Sequence, residues 1–280
     1  MNGLYEVLAP GLSLPADLAT LTVVLIVTGA RAVGFVMICP VFGRFGISRG
    51  FLRGAVVVAM TAPVLGTASA QVMAEPDLIS TISLPLVVLR ETIIGAVLGF
   101  LVGIPFWAVL AAGDFIDMQR GASMANIMDP GSSSEASVTG TFYFMVCVLV
   151  LAAEGVLFPT LFGPLLKSYA MFPVLQPFEL PDPRQGALAL QMLDQILRAG
   201  LLLALPVLVP LLLAEMVLVV GTKYMPQINA MFLAMSVKQI VHALLLLIYT
   251  VIVARYAISQ IGHGALSPDA LSPFLKGVVE

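Results

Sequence analysis

The chain has 280 residues, 60% of them hydrophobic and only 10% charged, with a formal net charge of -3. That balance argues against a soluble globular fold and predicts an all-α protein of a membrane or a membrane complex. The small, dispersed charge also argues against a nucleic-acid surface and a polybasic lipid anchor.

The first seventeen residues carry Glu6 and Asp17 and no basic residue, the wrong charge for the start of a cleaved signal peptide, so the first apolar run is expected to be retained. Apolar segments then follow at residues 18–42, 54–74, 84–112, 138–166, 196–220 and 230–258, giving about six helical segments. Each is long enough for about 30 Å of helix, the thickness of a bilayer core. The connection 43–53 holds Arg44, Arg49 and Arg53, which by the positive-inside rule faces the cytoplasm, whereas 75–83 holds only acidic charges. Cys39 and Cys147 sit singly in apolar runs, where a thiol packs as a small hydrophobe; their spacing suits no metal site or disulfide framework. Pro173, Pro177, Pro181 and Pro183 rule out a regular helix over 172–184, which reads as an extended connection. Residues 1–258 read as a single domain, followed by a polar C-terminal tail, 259–280, in which His263 faces solvent.

In the third segment Gly95, Gly99 and Gly103 recur every fourth residue and form one stripe along a helix, with Glu91 one step up and Arg90 beside it. A stripe without side chains lets another backbone approach closely, either a helix of this chain or a separate subunit. Arg31, Glu154, Arg198, Glu215, Lys238 and Arg255 also interrupt or border apolar runs. A central Arg, Lys or Asp costs about 2.5–3.5 kcal/mol on insertion scales, so several together imply shielding by protein or water, with Arg198 and Arg255 open to snorkelling.

Two polar clusters stand out. The first, residues 113–135, contains Asp114, Asp117, Gln119, Arg120, Met124, Met128 and Asp129. The second, residues 223–239, contains Pro226, which breaks a helix, followed by Gln227 and Asn229, whose amides can satisfy freed backbone groups, and Lys238. Lys238 and His242 share a helix face, a spacing compatible with a metal or proton site, although a lone buried histidine more often hydrogen-bonds locally.

The order Gly113-Asp-x-Ile-Asp-x-Gln-Arg-Gly-Ala, then Asp129-Pro130, then Pro226-Gln-Ile-Asn with Ser236-Val-Lys238, resembles the T-type export-apparatus subunit of type III secretion systems, the SctT/YscT/HrcT group with its flagellar sister family FliR. The similarity spans residues 18–258. Gln119-Arg120-Gly121 looks more like the injectisome branch, and Ser236 departs from the proline of the family pattern. The resemblance implies kinked helical hairpins in a noncatalytic, single-copy subunit of the bacterial inner membrane. Its implied partners are SctR-like and SctS-like subunits, with SctU-like and SctV-like subunits beside them, forming a channel for unfolded secreted proteins. It further implies that Asp114, Asp117, Gln119, Arg120, Met124, Met128 and Asp129 lie near the pore and help to close it, with Met side chains sealing flexibly and charge pairs holding the closed arrangement. No cofactor is implied. The alternatives are a small-solute secondary transporter with helices broken at Gly113 and Pro226, and an intramembrane protease. For the protease, Asp114 after Ala111-Ala112-Gly113 and Ser123 in Gly121-Ala-Ser-Met fall short of the required motifs.

Overall fold

Long apolar runs rich in Leu, Val, Ala and Ile fold as helices because a helix satisfies its backbone groups internally, the requirement of an environment poor in water. The computed structural model describes residues 18–45, 50–74, 84–121, 137–172, 174, 186–224 and 230–262, and among these there is no strand. The helices are α1 (Leu18–Ile38), α2 (Pro40–Arg44), α3 (Gly50–Ala74), α4 (Leu84–Arg120), α5 (Val138–Ala153), α6 (Leu157–Met171), α7 (Gly186–Thr222) and α8 (Ala230–Tyr256). A π-helical segment, Ala257–Gly262, continues α8. Among the described residues, four stretches are long and apolar enough to cross a membrane: Gly50–Ala70, Leu84–Arg120, Ile196–Gly221 and Leu233–Ser259; the broken pair α5 and α6 adds a fifth if counted as one span.

Two departures from the sequence reading have local causes. The third apolar run does not stop at Ala112, because α4 continues without a break through Gly113 to Arg120. The fourth is two helices: Gly155 adopts φ 71°, with its N–H on the Ala152 carbonyl at 3.1 Å and the Val156 N–H on the Leu151 carbonyl at 3.0 Å. This is the Schellman ending that a glycine in the left-handed region permits.

The chain forms two compact units: Met1–Gly103, Phe158–Asp182 and Pro268–Glu280 in one, Ile104–Leu157 and Pro183–Ser267 in the other. In the first, α1 packs on α3, with Val24, Ala68 and Leu65 in contact. It meets α4 backbone to backbone: a Cβ on Gly34 would lie 2.0 Å from the Thr92 carbonyl oxygen, one on Gly95 1.8 Å from that of Arg31, and one on Gly99 2.5 Å from that of Phe35. The glycine stripe is therefore occupied at Gly95 and Gly99 by a helix of the same chain rather than by a separate subunit. Gly103 is buried further along α4.

The same contact shields a charged cluster. Arg31 and Glu91 are fully buried; Arg31 Nε donates to Glu91 Oε2 at 2.7 Å, Nη1 to Ser168 Oγ at 3.1 Å and Nη2 to the Phe172 carbonyl at 2.9 Å. The guanidinium lies 4.3 Å from the centre of the Tyr169 ring, and the Tyr169 hydroxyl donates to the Thr28 carbonyl at 2.7 Å. Arg90 Nη2 donates to Glu91 Oε1 at 2.7 Å and to the Val174 carbonyl. A buried ion pair is tolerated only when its remaining donors and acceptors are met, and this one binds α1, α4 and α6 together.

In the second unit, a Cβ on Gly113 would meet the Cα of Gly140 at 2.1 Å, and one on Gly200 the Ala108 carbonyl oxygen at 3.0 Å, so the latter half of α4 is closely packed by α5 and α7. Phe106 packs edge-on against Phe144, Tyr143 lies 5.6 Å from Tyr249, and the Tyr249 hydroxyl donates to the Leu203 carbonyl. Cys39 and Cys147 are buried free thiols, as the sequence indicated.

Candidate functional site

The second unit brings the two polar clusters together. Asp117, on the last turns of α4, is buried, and its carboxylate accepts four hydrogen bonds. They come from Arg120 Nε at 2.8 Å, Ser137 Oγ at 2.7 Å, the Thr139 N–H at 3.2 Å and Thr139 Oγ1. The Arg120 bond closes within one helical turn, whereas the Ser137 and Thr139 bonds reach the start of α5. Ser137 is itself the N-cap of α5, its Oγ accepting from the Gly140 N–H at 2.8 Å. One carboxylate thus ties the end of α4 to the beginning of α5, with no donor of Thr139 left over.

The chain of bonds continues into α8. Thr139 Oγ1 lies 3.2 Å from His242 Nε2. With its own proton on Asp117, the threonine hydroxyl can only accept there, so His242 carries its proton on Nε2. Arg120 Nη1 donates to Gln239 Oε1 at 2.7 Å. Lys238 Nζ donates to the Gln119 carbonyl at 2.9 Å and to Glu215 Oε2 at 3.2 Å, and Gln119 Nε2 donates to the same carboxylate oxygen at 3.0 Å. The ammonium therefore sits at the carbonyl end of α4, where the unsatisfied C=O groups and the helix dipole favour a cation. Gly121, φ 83°, turns the chain out of the helix with its N–H on the Met118 carbonyl at 3.2 Å.

Of the residues singled out by sequence, Asp117, Gln119, Arg120 and Lys238 converge in this network, and Asp114 lies exposed on the same helix three residues before Asp117. Asp114, Asp117, Gln119 and Arg120 all stand on a helix and not in a connecting loop. Met124, Met128, Asp129, Pro226, Gln227 and Asn229 lie outside the described residues. Sequence reasoning missed Ser137 and Thr139. Their signal was present in the pattern Ser-x-x-Gly ahead of an apolar run, a helix start with a hydroxyl cap. It also gave Glu215 no partner. Lys238 and His242 do share a face, but each hydrogen-bonds to protein, and no group of three or more His, Cys, Asp or Glu suited to a metal occurs among the described residues. The continuity of α4 through Gly113 removes one of the two broken helices on which a transporter reading depended.

Residues 22–263 match the family described as bacterial export proteins, family 1. The chain belongs to that family, the SctT/FliR group of type III export-apparatus proteins. It is 32% identical over 213 residues to the Yop proteins translocation protein T of Yersinia pestis, covering 76% of this chain and 80% of that one. It is 31% identical over 225 residues to the surface presentation of antigens protein SpaR of Salmonella typhimurium, covering 79% and 82%. The flagellar biosynthetic protein FliR of Bacillus subtilis is 24% identical over 164 residues, covering 58% and 63%. Family membership and the apolar spans together make this export protein a multi-pass membrane protein.

Proposed function

We propose that this family 1 export protein is a noncatalytic structural subunit of a type III export gate in the bacterial inner membrane, of the injectisome branch. It joins SctR-like and SctS-like subunits, with SctU-like and SctV-like subunits adjacent, around a channel for unfolded proteins. Asp114, Asp117, Gln119, Arg120, Met124, Met128 and Asp129 form the part of the chain that helps to close that channel. The observation that carries this reading is the convergence of the two polar clusters. Asp117 and Lys238 anchor both ends of the connection 122–136, which bears the methionines, to the body of the protein. Flexible, polarisable Met side chains suit a seal that must yield to many sequences. Identity of 32% to a protein named for translocation of Yop proteins and 31% to SpaR, against 24% to the flagellar FliR of Bacillus subtilis, supports the branch.

The test is ion leakage through the assembled gate. Removing residues 122–134 while keeping Asp117 and Ser137 should raise small-ion conductance at least tenfold. Conductance equal to that of the intact assembly would remove the closing role.

A further inference from the structure

Two residues of α8, one helical turn apart, hold different elements. Lys238 reaches the end of α4 through the Gln119 carbonyl, and Glu215 of α7 holds its charge. His242 reaches the start of α5 through Thr139, whose own hydroxyl is committed to Asp117. Both α8 side chains are buried, and neither bond is local to its own helix. A hydrogen bond from an ammonium to helix-end carbonyls fixes where that helix stops, and a donor on the hydroxyl at the second position of a helix fixes how it starts.

We infer that Lys238 and His242 are positioning residues with separate duties. Lys238 sets the exit of the chain from α4 and His242 sets its return into α5, so that α8 carries the frame on which the α4–α5 connection hangs. The functional weight of this frame rests on the export-gate reading above. The division of labour does not, and it follows from which atoms meet.

Spin labels separate the two. Met118→Cys, next to Gln119, and Val138→Cys, the first residue of α5, are both well exposed, whereas the native Cys39 and Cys147 are buried. In the full chain assembled with its export partners in membranes, Lys238→Met should shorten the label correlation time at position 118 at least threefold and leave position 138 unchanged. His242→Leu should do the reverse. Lys238→Arg should restore the first, and His242→Gln, which keeps a donor near the place of Nε2, the second. Protein export should fall about tenfold in each loosened variant.

Loosening of both labels by either variant would show a general structural role and overturn the inference, as would labels that stay rigid while export falls. Labels that respond as expected while export is unchanged would support the positioning roles and overturn the export reading instead. Should Lys238→Met fail to assemble, Glu215→Gln removes the counter-charge at a partly exposed position. Position 118 loosens if Lys238 acts through this node and stays rigid if it does not.

Discussion

Arg31 and Glu91 have no solvent exposure at all, and sixty residues separate them in sequence. Removing Glu91 leaves the buried Arg31 guanidinium uncompensated among apolar helices, which costs about 3–5 kcal/mol, and removing Arg31 leaves Glu91 only its bond to the partly exposed Arg90, whereas replacing both by apolar residues of similar volume is often neutral. Arg31→Met and Glu91→Met alone should therefore each lower the thermal stability of the detergent-solubilised protein sharply, and the double variant should recover most of the loss. Simple addition of the two losses in a melting experiment would mean that the residues act independently. Glycines discriminate in a similar way. A Cβ on Gly121 meets nothing closer than 3.6 Å, so Gly121→Ala carries only the strain of its positive φ, about 1 kcal/mol. Gly113→Ala would drive a methyl into the backbone of Gly140 and should cost more, about 1–3 kcal/mol or beyond, because α4 and α5 must separate. Chemical denaturation of the two variants side by side gives the ranking.

The helices were legible in outline because apolar runs of this length have no other stable form in lipid. Their ends were less so. A polar island after Ala112 looked like the end of a helix, yet α4 carries Asp117, Gln119 and Arg120 two turns further because Ser137, Thr139, Glu215 and Gln239 supply their hydrogen bonds. Those partners lie 20 to 119 residues away, at distances where one sequence gives no pairing. The polar residues themselves were easy to find against an apolar background, and only their mutual contacts were hidden. The reverse error came at Glu154, where an unbroken apolar run contained a glycine-based ending that composition did not reveal. The stripe at Gly95 and Gly99 was visible, but spacing could not name its partner, which is α1. Gly95→Ala and Gly99→Ala should each weaken the α1–α4 contact by forcing the carbonyls of Arg31 and Phe35 aside. Gly43→Ala, with nothing within 4 Å of its Cβ, should be silent. A cysteine cross-linking series along α1 and α4 would read the separation. Equal behaviour of Gly43→Ala and Gly95→Ala would contradict it.

The outward face of α8 shows what the protein expects around it. Ile240, Leu244, Leu247, Ile248 and Val251 recur at helical spacing and are exposed, Leu247 at 76%, while Lys238, His242, Tyr249 and Val253 turn inward. A water-soluble helix has the opposite arrangement, so the medium outside this face is apolar, lipid or a partner subunit, and polar groups are kept within. α7 follows the same rule with Leu202, Leu213, Met216, Val217 and Val220 outward. A charge placed at Leu247 then has no water to reach from mid-helix, and an Arg there costs about 2.5–3.5 kcal/mol. Leu247→Arg is expected to reduce, by about seventyfold at the lower end of that range and by roughly several hundredfold at the upper, the chain recovered in membranes or co-purified with partner subunits, and Leu247→Phe to leave recovery unchanged. On a surface facing water the same arginine would shift stability by no more than about 0.5 kcal/mol. Recovery of Leu247→Arg at the level of the unsubstituted chain would therefore place this face in solvent and undo the membrane-complex assignment of α8.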